Sequence, residues 1–91
     1  MIARRLAIRG RVQGVGFRYT MVDAAAEAGV VGWVRNLRDG SVEAFVQGSD
    51  DAVARIVAWA HRGPAAASVA SVAATEEPVD MTLVVFRALA T

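Results

Sequence analysis

The stretch Arg5-Leu6-Ala7-Ile8-Arg9-Gly10-Arg11-Val12, continuing through Gln13-Gly14-Val15-Gly16-Phe17 into Arg18-Tyr19-Thr20-Met21-Val22-Asp23-Ala24-Ala25-Ala26-Glu27-Ala28-Gly29, decides the fold. From Arg5 to Val12 the residues alternate, with Leu6, Ile8 and Val12 on one side and Arg5, Arg9 and Arg11 on the other. That is the pattern of a strand buried on one face and wet on the other. Gln13 to Phe17 is too rich in glycine for regular structure. Arg18 to Ala28 then predicts a helix, with Val22, Ala25 and Ala26 inward and Gly29 as its C′ stop.

Working outward, Val30 to Leu37 and Ser41 to Gln47 are two β-rich runs joined at Arg38-Asp39-Gly40, where Asp-Gly is a strong hairpin signal. Ser49, followed by Asp50 and Asp51, makes an N-cap with acids in the first turn, where they favour the positive helix end. That helix runs to about Arg62 with Val53, Ile56, Val57 and Ala60 inward, until Gly63-Pro64 stops it. Ser68 to Thr75 reads as a short strand, Glu76-Glu77-Pro78 as a turn, and Met81 to Ala88 as the last strand. Ala65-Ala66-Ala67 is the one low-complexity patch. The order βαββαβ, with two helices on one face of an antiparallel sheet, is expected to pack as an α+β, ferredoxin-like α/β sandwich. That fold hosts enzymes, RNA binders, metal carriers and regulatory modules, so the site must decide the function.

The 91 residues make one expected domain, 1–91, too short for two. At 55% apolar, the chain is far too hydrophobic to be disordered. The absence of cysteine excludes a disulfide, a thiolate nucleophile and Cys-type metal sites, and the single His61 cannot build a His-rich one. No apolar run approaches the ~20 residues of a membrane span. Arg4-Arg5 is not an export signal, because Arg9 and Arg11 interrupt the stretch behind it. A cytoplasmic protein with no membrane partner is expected. The net charge of +1 conceals a split: residues 1–38 hold seven arginines against Asp23 and Glu27, whereas residues 39–91 hold three arginines against seven acids. The front of the chain is the candidate anion site.

Within it, Gly14 and Gly16 remove Cβ atoms where the chain turns, so consecutive main-chain N–H groups can converge on one point beside a helix N-terminus. Arg18 at the helix entry can set its planar guanidinium on the same anion, or stand merely solvated. The loop lacks the Gly-Lys-Ser/Thr of a Walker motif, and Tyr19 stands where a dinucleotide fingerprint needs glycine. Asn36, at the end of the second strand, can donate and accept at once, so near an anion it can aim a water molecule; beside a hairpin it can equally be a turn residue.

Gly10-Arg11-Val12-Gln13-Gly14-Val15-Gly16-Phe17-Arg18, then Gly29, Gly32-Trp33-Val34-Arg35-Asn36, Asp39-Gly40, Val42-Glu43-Ala44, Gln47-Gly48 and Gly63-Pro64, together resemble the acylphosphatase family from about Arg5 to Gly63. The resemblance implies hydrolysis of the carboxyl–phosphate bond of acyl phosphates, with no metal, no cofactor and no covalent phosphoenzyme. It implies that the loop Gln13, Gly14, Val15, Gly16, Phe17 and Arg18 binds the phosphoryl group, that Arg18 and Asn36 are the catalytic residues, and that Asn36 positions the attacking water. Inorganic phosphate is then product and competitor. Ala65 to Ser71 and the end from Phe86 depart from the family's usual pattern, which bears on the sheet edge and oligomeric behaviour rather than on the chemistry.

The residue inventory agrees with this reading. There is no cysteine or lysine, His61 lies near the end of the second helix, where it reads as a helix-end cation, and no pair of acids sits in the loop or beside Asn36. Positioning and electrostatics remain, and phosphoryl transfer can run on them. Without a general acid the leaving group must depart unaided, as a carboxylate of pKa roughly 4 does and an alkoxide does not. The rival readings are an RNA-recognition module and a fragment of a carbamoyl-transfer maturation protein. The first is opposed by Ser41 to Gln47, which holds one aromatic, an acid and no Lys/Arg-Gly-Phe/Tyr-Gly signature. A free-standing monomer without nucleic acid is the expectation.

Overall fold

A computed structural model describes residues 1–90. The chain runs β1 (Ile2–Arg11), α1 (Phe17–Ala28), β2 (Val31–Asn36), β3 (Val42–Gly48), α2 (Asp50–Arg62), β4 (Ser68–Glu77) and β5 (Phe86–Ala88). The strands form one sheet in the order β4-β1-β3-β2-β5. The first four pair antiparallel, and β5 lies parallel to β2, so the ferredoxin-like architecture carries a mixed sheet. Both helices cover one face. Between them and the sheet lie Leu6, Ile8, Met21, Val34, Val42, Ala44, Val46 and Ile56, each at most 1% exposed. None of the helices is long and apolar enough to cross a membrane.

The buried face of one helix and the bounds of the last two strands depart from the sequence expectation. α1 buries Phe17, Met21 and Ala25, while Val22 is only half-buried and Ala26 is exposed. The spacing i, i+4, i+8 through the two bulkiest side chains sets the inward stripe, and the alanines fill in around it. Glu76 and Glu77 continue β4 instead of turning, because they reach across to Arg4 and Arg5 of β1, at 3.8 and 3.0 Å. The last strand shrinks to three residues. Asp80 Oδ1 accepts hydrogen bonds from the Thr82 N–H (2.9 Å) and the Thr82 hydroxyl (2.6 Å), and this Asx turn competes with extension through Met81. The carboxamide of buried Gln47 clasps the same turn, donating to the Asp80 carbonyl at 2.9 Å and accepting from the Asp80 N–H at 2.8 Å. Residues 78–81 are thereby laid over part of the sheet face opposite the helices.

The helix ends follow their sequence signals. Ser49 Oγ accepts from the Ala52 N–H at 3.1 Å to cap α2, and the Gly29 N–H bonds back to the carbonyls of Ala25 and Ala26 to close α1. At the β2–β3 hairpin, Asp39 Oδ1 accepts from the Ser41 N–H (2.9 Å) and hydroxyl (2.6 Å). Those bonds, the hydroxyl's foremost, hold the Asp39 carboxyl below the usual carboxylate range, with Arg9 adding to the effect.

Gly32 is required by close approach in β2. With φ at 141°, a Cβ there would lie 1.8 Å from the Phe45 carbonyl oxygen. Gly32→Ala is therefore expected to destabilise the fold by roughly 3 kcal/mol or more, measured by urea denaturation. A second expectation concerns acid. Because the folded Asp39 pKa is depressed, its contribution to stability is present above the unfolded pKa and fades as pH falls through the lower folded value. Asp39→Ala should lower the thermal midpoint at about pH 7, and the gap to the parent should close below about pH 4 in melts across that range.

Candidate active site

β1 and β2 run in the same direction on either side of β3, so their C-terminal ends lie at the same end of the sheet. That geometry brings the loop after β1 next to Asn36, the last residue of β2. Gly14 and Gly16 adopt φ values of 72° and 76°, the left-handed region that non-glycine side chains resist. Gly16 serves as N-cap of α1 and offers no side-chain acceptor, and the first turn contains no acid. The first main-chain hydrogen bond of the helix runs from the Thr20 N–H to the Gly16 carbonyl at 3.0 Å. Among the described residues, no acceptor takes the N–H groups from Gln13 to Tyr19. By contrast, the start of α2 has a side-chain cap, Ser49 Oγ accepting from the Ala52 N–H, and carries Asp50 and Asp51 in its first turn. The bare start of α1 presents its donors and the positive end of its dipole to an anion.

Phe17 holds this start in place. Its ring is 2% exposed and meets Trp59 of α2 edge-on, centroids 5.3 Å apart at 61°. Burial of Phe17 turns the next residue, Arg18, toward a pocket of about 190 Å³. Gln13, Gly14, Gly16, Phe17, Arg18 and Asn36 all line it, as six of the seven residues singled out from sequence. Val15 does not; its side chain is half-buried against the core. Val12 and Tyr19, which the sequence reading left out, complete the wall. Tyr19 is the more informative of the two, since its ring lies 5.7 Å from the Arg18 Cζ.

Arg18 Nη1 donates to the main-chain carbonyl of Leu89 at 2.5 Å, and the Leu89 N–H in turn donates to the Val34 carbonyl at 2.8 Å. The segment after β5 therefore fixes one edge of the guanidinium and leaves the other donors unpaired among the described residues. Arg18 has no acid partner there. Asn36 is half-buried, and its carboxamide makes no hydrogen bond among the described residues. The Gln13 side chain is committed elsewhere, its Nε2 donating to the carbonyls of Leu37 (2.7 Å) and Ser41 (2.9 Å). His61 lies in the last turn of α2 beside Arg62, outside the pocket lining.

The charge split of the sequence is largely cancelled by folding. Arg5 and Arg35 lie on the sheet face away from the helices and share Glu43, at 3.2 and 2.7 Å, and Arg5 also pairs with Glu77. Arg9 meets Asp39 at 3.6 Å. Among the described residues, Arg11, Arg18 and Arg38 are the front-half arginines without an ion pair. Among the described residues, no three acids or histidines are grouped to hold a metal ion.

Set against known proteins, the acylphosphatase family model matches residues 4–88. An acylphosphatase of Trichormus variabilis is 53% identical over 79 residues, which are 86% of this chain and 78% of the relative. One of Thiobacillus denitrificans is 59% identical over 71 residues, 78% of this chain and 80% of the relative. The crystal structure of acylphosphatase from Bacillus subtilis superposes with a TM-score of 0.93 at 32% identity, covering 98% of this chain and 99% of that one. With the family match spanning nearly the whole fold, this chain belongs to the acylphosphatase family, hydrolases that act on acyl phosphates.

Proposed function

We propose that this member of the family hydrolyses the carboxyl–phosphate bond of acyl phosphates with Arg18 and the main-chain N–H groups of residues 13–18 holding the phosphoryl group and Asn36 directing the water. The observation that carries the reading is the uncapped start of α1. Among the described residues, a run of unpaired N–H donors, an arginine with donors to spare and an unbonded carboxamide face one small pocket. Such donors match the charge that gathers on the equatorial oxygens during transfer, and their fixed placement avoids reorganisation at the moment of reaction.

In the proposed step, the Asn36 carboxamide orients a water in line with the bond to the leaving group. The water oxygen bonds to phosphorus as the phosphorus–oxygen bond to the acyl group breaks, and the bonding electron pair leaves with the carboxylate. The water's proton passes to a phosphoryl oxygen, so no protein base is needed. The products are a carboxylate and inorganic phosphate, which competes with substrate for the same cradle. No metal or organic cofactor enters the scheme. The proposal is of a cytoplasmic monomer. An RNA-recognition reading finds less support. Trp33 and Phe45 do stack on the open sheet face, but the arginines beside them, Arg5 and Arg35, are neutralised by Glu43 and Glu77 and are poorly placed to take up nucleic-acid phosphates.

Benzoyl phosphate hydrolysis, with inorganic phosphate as competitor and a phosphomonoester as control, tests the reading. Asn36→Ala is expected to lower kcat by at least about 10²–10³-fold while the fold and phosphate inhibition persist. Arg18→Ala should lose turnover and weaken phosphate inhibition together. Hydrolysis by Asn36→Ala at the parent's rate would sink the assignment. The parent's rate should be unchanged in excess chelator, and restoration of a lost rate by Mg²⁺ would overturn the metal-free step.

A further inference from the structure

We infer that Gln13 is a positioning residue for Asn36 rather than a side-chain ligand of the phosphoryl group; this rests on the function proposed above. The last row paired across the three inner strands is Ile8, Val42 and Asn36. Beyond it β1 departs from β3 and continues only alongside β4, as far as Arg11 against Ser68. The strand ladder therefore stops linking the phosphate loop to the hairpin at the row that contains Asn36. Past that row the two parts of the site are held by different strands.

Gln13 bridges the gap. Its Nε2 donates to the Leu37 carbonyl at 2.7 Å and to the Ser41 carbonyl at 2.9 Å, across 24 and 28 residues of sequence. Both protons of the carboxamide are thus engaged, leaving none for a phosphoryl oxygen. Leu37 follows Asn36 directly, so the first bond anchors the Leu37–Arg38 peptide, one residue beyond the Cα that carries the Asn36 side chain. Both carbonyls already accept one main-chain bond inside the hairpin, Leu37 from the Gly40 N–H (3.2 Å) and Ser41 from the Leu37 N–H (2.9 Å). The hairpin is closed without Gln13. What the side chain adds is the placement of that closed hairpin relative to Gly14 and Gly16, hence the distance and direction from the water-orienting carboxamide to the phosphorus.

This makes a split prediction, because placement matters to the attack more than to binding. In Gln13→Ala and in Gln13→Met, which keeps most of the volume but has no donor, kcat for benzoyl phosphate should fall about 10–100-fold. The inhibition constant of inorganic phosphate should move less than about threefold, since the main-chain donors and Arg18 are untouched. In an Asn36→Ala background the same Gln13 substitutions should change kcat by less than about threefold, as expected of residues acting through one another. An unchanged kcat in the single variants would overturn the proposal. So would a parallel loss of phosphate affinity, which would make Gln13 a phosphate contact, or failure of both variants to fold, which would make it an element of the core. Full turnover by Asn36→Ala alone would instead refute the proposed function, whatever Gln13 does.

Discussion

Burial of the Phe17 ring beneath α2 fixes the start of α1, and with it the bare first turn that borders the pocket. A phenyl ring removed from water contributes on the order of 2–3 kcal/mol, enough to hold the helix start against the fraying that an uncapped end invites. The space for it is reserved by the far end of α2, where a Cβ on Gly63 would come within 2.7 Å of the Phe17 ring. The glycine that ends the second helix therefore makes room for the residue that opens the first. Once Phe17 is seated, Gly14 and Gly16 carry the chain into the turn without side chains over the cradle, and Arg18 emerges beside it.

Much of this was legible in the residues. The alternation around Leu6 and Ile8, the Asp39-Gly40 turn and the Ser49 cap each encode their structure in side chains that act locally. The glycine loop, through the resemblance it carries, points to Arg18 and Asn36, and both line one pocket. What could not be read was set by partners distant in sequence. Met81 to Ala88 looks like a strand by β propensity, yet Asp80 captures Thr82 and Gln47 grips the turn from β3, leaving three residues to pair. Glu76 and Glu77 look like a turn until Arg4 and Arg5 are placed opposite them. Val15 sends its side chain against the core rather than into the pocket, a placement that its position in the loop does not reveal.

The contrast between a basic front and an acidic back proves to be chiefly an arrangement of neighbours. β1 lies between β3 and β4, which bring Glu43, Glu76 and Glu77 to its arginines. Pairs this exposed contribute little each to stability. Their more useful effect is subtraction: by occupying Arg4, Arg5, Arg9 and Arg35, they leave the uncompensated positive charge concentrated among fewer residues, Arg18 included. Local potential at a small anion site depends on those residual charges more than on the total.

The bond from Arg18 to Leu89 spans 71 residues and ends on a main-chain carbonyl. Any amino acid at position 89 supplies the same oxygen, so the contact leaves no trace in side-chain chemistry. Its cost lies in chain closure: restraining the guanidinium in this way joins positions 71 residues apart, so the contact depends on the fold between them being in place. On the role proposed for Arg18, the segment after β5 therefore bears on the chemistry through a main-chain oxygen, although it contributes no side chain to the reaction.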